Sequence, residues 1–355
     1  MKTLKISNRE IGKDLPPYFI ADIAANHDGD IERAYKLIEL AKEAGADAAK
    51  FQNFKAETIV SKFGFERMGG QLSHQKNWSK SVFEVYQDAS LPDDWTPRLK
   101  EKCDNVGIEY MTSPYDFASV DLADKYSNCI KIGSGDITWI EIIEYIAQKR
   151  KPVLLATGAS SMEDVQRAVS AILNHTDQLV LMQCNTNYTA DKSCFNYINL
   201  NVLNTFKQAF PEVILGLSDH THGCETVLGA IALGARVIEK HFTDDNDRSG
   251  PDHKFSMTPK TWKQMVTSAE YLFNSLGDGV KRVEDNEMQT SIVQRRALYY
   301  TRDLKQGETL KPSDLFPVRP INDGEIPPYE INTICGKIIN CNVKADTAVK
   351  WEDFV

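Results

Sequence analysis

Short runs of β-branched and apolar residues alternate with longer amphipathic stretches through the first two thirds of the chain. Eight such runs read as strands, at 18–25, 47–54, 108–115, 129–136, 152–159, 179–185, 213–220 and 236–242. The stretch at 30–45 shows what lies between them: Ile31, Ala34, Leu37, Ile38 and Ala41 fall on one helical face. Asp30 stands where it can cap the first turn, and Gly45 where a C-terminal glycine belongs. Eight strand–helix units in succession predict a closed parallel (β/α)8 TIM barrel, an α/β fold. An open doubly wound sheet usually has fewer strands and a glycine-rich first turn, and this chain has neither.

Two departures from the repeat matter. About fifty residues separate the second and third strands, including FGFERMGGQLSHQKNWSKSVFEVY. An insertion of that length at the top of a barrel is expected to close over a site or to contribute to a subunit contact. After a last helix at 258–275 the texture changes at 277–287, and short strands with tight turns follow. There RDLKQGETLKPSDL (302–315) and CNVKADTAVKWEDF (341–354) repeat one strand–turn–strand shape that ends in aspartate. The expected organisation is a barrel over 1–282, a linker over 283–293 and a small pseudo-twofold β domain over 294–355. At about sixty residues that domain has little core of its own and is expected to dock on a partner surface.

In a parallel barrel the chemistry sits at the C-terminal ends of the strands. The polar residues at those ends are Asp22, Asn26, His27, Lys50, Gln52, Ser113, Lys131, Ser134, Asp136, Asp219, His220, Glu239 and His241. Any one of them could be an ordinary surface or core residue. So many at one end of eight strands resist a packing explanation, because unpaired buried charge costs several kcal/mol. Side-chain alternation puts Glu239 and His241 on one face, with Lys240 pointing away, and pairs Lys50 with Gln52. His220 and His241 end adjacent strands, within reach of one divalent ion such as Mn²⁺ or Mg²⁺. His27 and His222 are weaker ligand candidates. His74, His175 and His253 read as surface or loop residues, the last with a place near substrate. KIGSGD (131–136) joins a cation, a hydroxyl and exposed backbone N–H groups, which suits a phosphate. With Lys50 across the mouth, the set suits a small, strongly anionic substrate such as phosphoenolpyruvate.

Composition narrows the field. Fifty acidic against 41 basic residues give a net charge of −9, which argues against a nucleic-acid surface. The N-terminus carries charge throughout, unlike a signal peptide, and no apolar run approaches the roughly 18 residues of a membrane span. Seven scattered cysteines without CxxC spacing read as reduced thiols of a cytoplasmic protein.

The motifs DIAANHDGD (22–30), AGADAAKFQ (44–52), TSPYD (112–116), KIGSGD (131–136), LATGAS (155–160), GLSDHT (216–221), IEKHFT (238–243) and GPDHKFSM (250–257) resemble those of the sialic acid (nonulosonate) synthases. The tail, with RDLKQGETL (302–310), VRP (318–320) and GK (336–337), resembles that family's antifreeze-like (SAF, β-clip) C-terminal domain. The resemblance implies a metal-dependent barrel enzyme that condenses phosphoenolpyruvate with an amino sugar and forms a domain-swapped homodimer. It further implies His220 and His241 as metal ligands, with Glu239 beside them. Lys50, Lys131, Ser113 and Ser134 would hold phosphoenolpyruvate; Gln52, Tyr188, Asp252 and Arg319 of the partner subunit would face the sugar. The family usually has glutamate where this chain has Asp22 and Asp136, and serine where it has Ala156. QCNTNYT (183–189) also differs, since the family more often has histidine before the cysteine and proline after the tyrosine. These changes touch acid–base and sugar-facing groups and leave the exact acceptor open. A metal-dependent pyruvate aldolase would need no phosphate site, and a non-catalytic sugar- or ice-binding protein would need no metal pair.

Overall fold

The structure, a computed structural model, describes residues 3–68, 71–72, 75–76, 78–188 and 191–354; His74, expected as a surface or loop residue, lies outside them. The chain forms two compact units, Met1–Leu276 and Gly277–Val355.

The first unit opens with a hairpin, β1 (Thr3–Ile6) and β2 (Arg9–Gly12), paired antiparallel. The barrel strands follow: β3 (Tyr18–Asp22), β4 (Ala48–Asn53), β5 (Glu109–Pro114), β6 (Ile130–Ile132), β7 (Val153–Ala156), β8 (Leu179–Cys184), β9 (Ile214–Asp219) and β10 (Val237–His241). They neighbour one another in chain order, and β10 pairs with β3 to close the barrel. Every expected strand forms, shorter by up to a few residues at its ends.

Helix α1 (Ile31–Glu43) shows how local sequence sets these elements. Asp30 accepts a hydrogen bond from the Glu32 backbone N–H, and Ala34, Leu37, Ile38 and Ala41 are buried. Gly45 terminates it at φ +95°, in the left-handed region that only glycine enters freely.

Two side-chain periods build the barrel. Phe19, Ala21, Phe51, Tyr110, Ile130, Leu155, Leu181, Leu217 and Ile238 face outward and pack with the helices in one continuous core. Alternate positions face inward, and their lower layers are apolar: Tyr18, Ile20, Ala48, Met111, Cys129, Leu154, Val180, Met182, Ile214 and Val237. Leu4, Ile6 and Ile11 of the hairpin join this inner cluster. The hairpin thus closes the N-terminal end of the barrel, with burial worth about 1.5–3 kcal/mol for each large side chain. Gly216 leaves room for Met182, because a Cβ there would lie 2.9 Å from Met182 Cγ and 2.8 Å from the Val237 carbonyl oxygen.

The insertion between β4 and β5 holds α2 (Ala56–Ile59), α3 (Lys62–Arg67) and α4 (Val82–Ala89), ahead of α5 (Trp95–Val106). The remaining helices of this unit are α6 (Phe117–Tyr126), α7 (Ile140–Gln148), α8 (Met162–Leu173), α9 (Val202–Ala209), α10 (Glu225–Ala232) and α11 (Pro259–Ser275).

In the second unit, the stretch 283–293 is not simple linker: it contains α12 (Met288–Val293), which buries no side chain. Strands β11 (Ala297–Tyr300) and β12 (Leu315–Val318) pair antiparallel. Leu298, Tyr300, Leu304, Leu310, Leu315, Ile326, Ile334, Ile339 and Val349 form their own core. The internal repeat is visible in its contacts. Leu304 and Val343, at matching places in the two halves, bridge each other. Asp314 and Asp353, at the matching ends, accept from the backbone N–H of Lys311 and Lys350.

Candidate active site

The inward positions change character towards the C-terminal ends of the strands. Above the apolar layers the inner face carries Asp22 on β3, Lys50 and Gln52 on β4, Ser113 on β5 and Lys131 on β6. Ser218 on β9 and Glu239 and His241 on β10 complete it. Both lysines are buried, Lys50 at 2% and Lys131 at 3% exposure, so each needs an anionic partner close by. Lys50 Nζ lies 2.6 Å from Asp22 Oδ2 and 3.7 Å from Glu239 Oε1. Lys131 Nζ lies 3.4 Å from the same Glu239 oxygen. Ser218 Oγ donates to that oxygen at 3.1 Å, while Glu239 Oε2 is buried without a hydrogen-bond partner. Ser113 Oγ sits 3.5 Å from Lys50 Nζ.

Burial works to raise Glu239, but Lys131 and Lys50 outweigh it and hold its carboxyl below the usual range. Burial lifts Asp22 above that range, the Glu239 charge adds to the effect, and Lys50 opposes it. Asp22 is also well bonded: Oδ2 accepts from Gln52 Nε2 at 3.3 Å, and Oδ1 from the Ala24 backbone N–H at 3.1 Å. The cluster is therefore two ammonium groups around one firmly ionised carboxylate and one that burial disfavours as an anion.

His220 and His241 come together at the ends of β9 and β10, with ring centroids 5.3 Å apart. His220 Nδ1 donates to the Asn185 carbonyl at 3.1 Å; burial works to lower this ring, but Cys184 and the Asn185 carbonyl outweigh it and hold His220 above the usual histidine range. His241 Nδ1 is buried without a hydrogen-bond partner, and burial followed by the charge of His220 pushes this ring well below the usual histidine range. Tyr188 and Phe255 wall the pair, with centroids 4.4 Å from His220 and 4.9 Å from His241 respectively.

Beside them opens a cavity of about 370 Å³. Gln52, Ser134, Asp136, Tyr188, His241 and Asp252 contribute its polar edge. Burial pushes both Asp136 and Asp252 up to about 6, against Lys131 in the first case and with help from Asp22 in the second. The turn Ser134–Asp136 follows β6 directly, and Ser134 Oγ accepts from the Gly158 backbone N–H at 3.0 Å. Gly158 permits this approach, since a Cβ there would run into Thr186 and lie 2.9 Å from Ser134 Oγ.

The long insertion supplies Ile59, Trp78, Val85, Tyr86 and Ala89 to the cavity wall. It does close over the mouth, as its length suggested; which of its residues do so depends on contacts between distant segments. Tyr115 and Thr186 also line the cavity and carried no signal of their own. Ser218 was accessible to reasoning, because it lies two residues before His220 on the same inner face.

Several polar candidates fall elsewhere. Asp219 does not face the interior: it pairs with Lys240 on the outer side of the sheet, because its parity is opposite to that of Ser218 and His220. His27 is a satisfied loop residue, its Nδ1 accepting from the Gly29 N–H and its ring edge-on to Trp95. Burial holds it down at about 4. His175 is exposed, as expected, and His222 is partly buried. His253 is neither surface nor open loop. It is fully buried, bridging Thr243 Oγ1 and Asp28 Oδ1 at 2.8 Å each, and so ties two loops of the mouth together. Arg319 belongs to the second unit, exposed just after β12.

The chain is similar to known proteins along most of its length. Residues 37–281 match the NeuB family and residues 295–355 the SAF domain. The N,N'-diacetyllegionaminic acid synthase of Legionella pneumophila is 35% identical, over 98% of both chains. The enzyme of the same name from Campylobacter jejuni is 34% identical over 93% of this chain and 98% of its own. The crystal structure of N-acetylneuraminic acid (sialic acid) synthetase from Leptospira borgpetersenii superposes with a TM-score of 0.71. It is 28% identical and covers 81% of this chain and 95% of that one. The chain therefore belongs to the NeuB family, nonulosonate synthases that are phosphoenolpyruvate-dependent transferases, with a SAF domain at its C-terminal end.

Proposed function

We propose that this chain condenses phosphoenolpyruvate with an open-chain N-acetylated amino sugar, giving a nine-carbon 2-keto-3-deoxy acid and inorganic phosphate. The observation that carries the reading is the convergence of two buried lysines on one carboxylate, beside a cavity of suitable size. Lys50 and Lys131 present two ammonium groups at the inner end of the site, which the phosphate and carboxylate of phosphoenolpyruvate would engage. Ser113 and Ser134 would add hydroxyl contacts.

The donor set fits a divalent cation such as Mn²⁺ or Mg²⁺. His220 and His241 stand side by side with ring centroids 5.3 Å apart, and His241 Nδ1 is buried without a hydrogen-bond partner. No group of three or more His, Cys, Asp or Glu among the described residues could hold an ion, so the protein would provide two imidazoles and leave the other positions open. Such an ion would act as a Lewis acid on the sugar aldehyde.

The reaction forms a bond from C3 of phosphoenolpyruvate to the aldehyde carbon. Water adds at C2, and the C2–O bond to phosphate breaks. Lys50 and Lys131 would stabilise the anionic groups through that sequence. Asp22 would accept or relay the proton of the attacking water, and Asp136, held up to about 6, is poised to exchange a proton near neutrality. Gln52, Tyr188 and Asp252 would face the sugar.

Between N-acetylmannosamine and a 6-deoxy-diacetamido hexose as the acceptor, the wall of Phe54, Ile59, Trp78, Val85, Tyr86 and Ala89 favours the second. A methyl and a second acetamido group would meet this mostly apolar surface without stranding hydroxyls. The test is phosphate release from phosphoenolpyruvate with each sugar in turn. Release with the 6-deoxy sugar and little with N-acetylmannosamine is expected; carbon–carbon bond formation from pyruvate with no phosphate released would instead make the protein an aldolase.

A further inference from the structure

Directly behind the two histidines, on the helix-facing side of the sheet, lies a second buried ion pair that the reaction does not use. Asp219 and Lys240 are opposite partners in the β9–β10 ladder, and both side chains are 1% exposed. Their neighbours point the other way: Ser218 and His220 flank Asp219, Glu239 and His241 flank Lys240. The Asp219 carboxylate accepts from Lys240 Nζ, from Thr221 Oγ1 at 2.8 Å and from Thr226 Oγ1 at 2.7 Å. Lys240 Nζ also donates to the Thr221 carbonyl at 2.6 Å. Thr226 lies in the first turn of α10, so the network joins β9, β10, the loop between β9 and α10, and the helix itself.

We infer that Asp219 and Lys240 are positioning residues, which set the separation of His220 and His241 by locking the backbone on either side of each imidazole. His220 is held between Asp219 and Thr221, both fixed within the network. His241 follows Lys240 on a strand tied by that lysine to β9. The 5.3 Å between the rings is thus spanned from behind by a short ion pair rather than left to two strand ends. A buried pair is weak as a source of stability, because desolvation offsets most of the attraction. Fixing ligand geometry is a role that an apolar pair of similar volume could not fill. The inference rests on the assignment of a divalent cation to the two histidines.

The test uses the full-length chain, stripped with chelator, and measures Mn²⁺ binding by calorimetry without substrate. Asp219→Leu/Lys240→Met replaces the pair without stranding a charge. It should melt close to the parent yet bind Mn²⁺ about 10- to 100-fold more weakly, the range seen when groups that orient metal ligands are removed. Thr226→Val strands no charge and should weaken binding by about threefold; it decides alone should the double variant not fold. Parent-like Mn²⁺ affinity in the folded double variant, or in Thr226→Val if only that folds, overturns the inference. A parent chain that takes up no Mn²⁺, or a His241→Ala chain that binds it as well, overturns the cation assignment itself and this role with it.

Discussion

Neutralising Glu239 should separate the stability of the inner site from its appetite for anions. The carboxylate lies 3.4 Å from Lys131 Nζ and 3.7 Å from Lys50 Nζ. At an effective dielectric constant of about 20, each contact is worth about 4–5 kcal/mol of gross attraction, against which desolvation must be set. In Glu239→Gln the shape is kept, Lys50 retains Asp22, and Lys131 is left without a carboxylate within ion-pair distance among the described residues. Breaking a buried pair on one side typically costs about 3–5 kcal/mol. For a unit of this size that lowers Tm by about 6–10 °C, at about 2 °C per kcal/mol. Inorganic phosphate should then restore part of the loss. At a hundredfold excess over its Kd a ligand of the folded state contributes about 2.7 kcal/mol, or about 5 °C. The gain should be larger in Glu239→Gln than in the parent, where Glu239 repels the incoming dianion. Thermal melts in chelator, with and without phosphate, measure both effects. A variant that melts with the parent, or one that phosphate stabilises less than the parent, refutes this account of the two lysines.

Chelation should abolish phosphate release and Mn²⁺ should restore it, while His220→Ala and His241→Ala should lose turnover without unfolding, as checked by circular dichroism. Burial raises Asp136 from 3.8 to about 6, so between those values the folded chain keeps a proton that the unfolded chain has released. Its contribution to stability is present below about pH 4 and lost as the pH rises to about 6; Asp136→Asn should remove that contribution, so that stability falls less with rising pH than in the parent in urea titrations. Truncation near residue 285 should leave a folded barrel with little turnover, and mixed His241→Ala and Arg319→Ala subunits should regain some activity after exchange. No recovery after verified exchange counts against a site shared across a dimer. Asp22→Glu should slow turnover by roughly tenfold or more, because a displacement of about 1 Å in a fitted site is costly, and Asp22→Asn should be slower still; near-normal turnover in Asp22→Asn removes Asp22 from the mechanism.

The barrel was legible because a strand reports its burial every second residue and a helix every third or fourth. Eight repeats of that contrast leave few folds to choose from. The hairpin β1–β2 escaped because four residues of alternation, as in TLKI, fall below what periodicity can distinguish from chance. The insertion announced itself by length alone. Its contribution of Trp78, Val85 and Tyr86 to the cavity is decided by tertiary packing of short helices, and no local pattern encodes which residues of such a segment turn inward. His253 was misplaced for a related reason. Its partners Thr243 and Asp28 lie on two different loops, and only the closed barrel brings them to either side of the ring.

Parity explains both what was read correctly at the mouth and what was not. Position near a strand end suggested Asp219 as a mouth residue, yet the alternation that puts Glu239 and His241 inside and Lys240 outside applies equally to β9. With His220 inside, Asp219 must face the helices, where a lone carboxylate would be several kcal/mol too costly without a cation. The ladder places Lys240 opposite it. A buried aspartate and a buried lysine on the wrong face, each next to a histidine on the right one, are thus a single feature of the sequence rather than two exceptions. Their presence is hard to account for by stability, since apolar side chains would serve there as well. They make sense if the positions of the two imidazoles matter more than the energy of the pair that holds them.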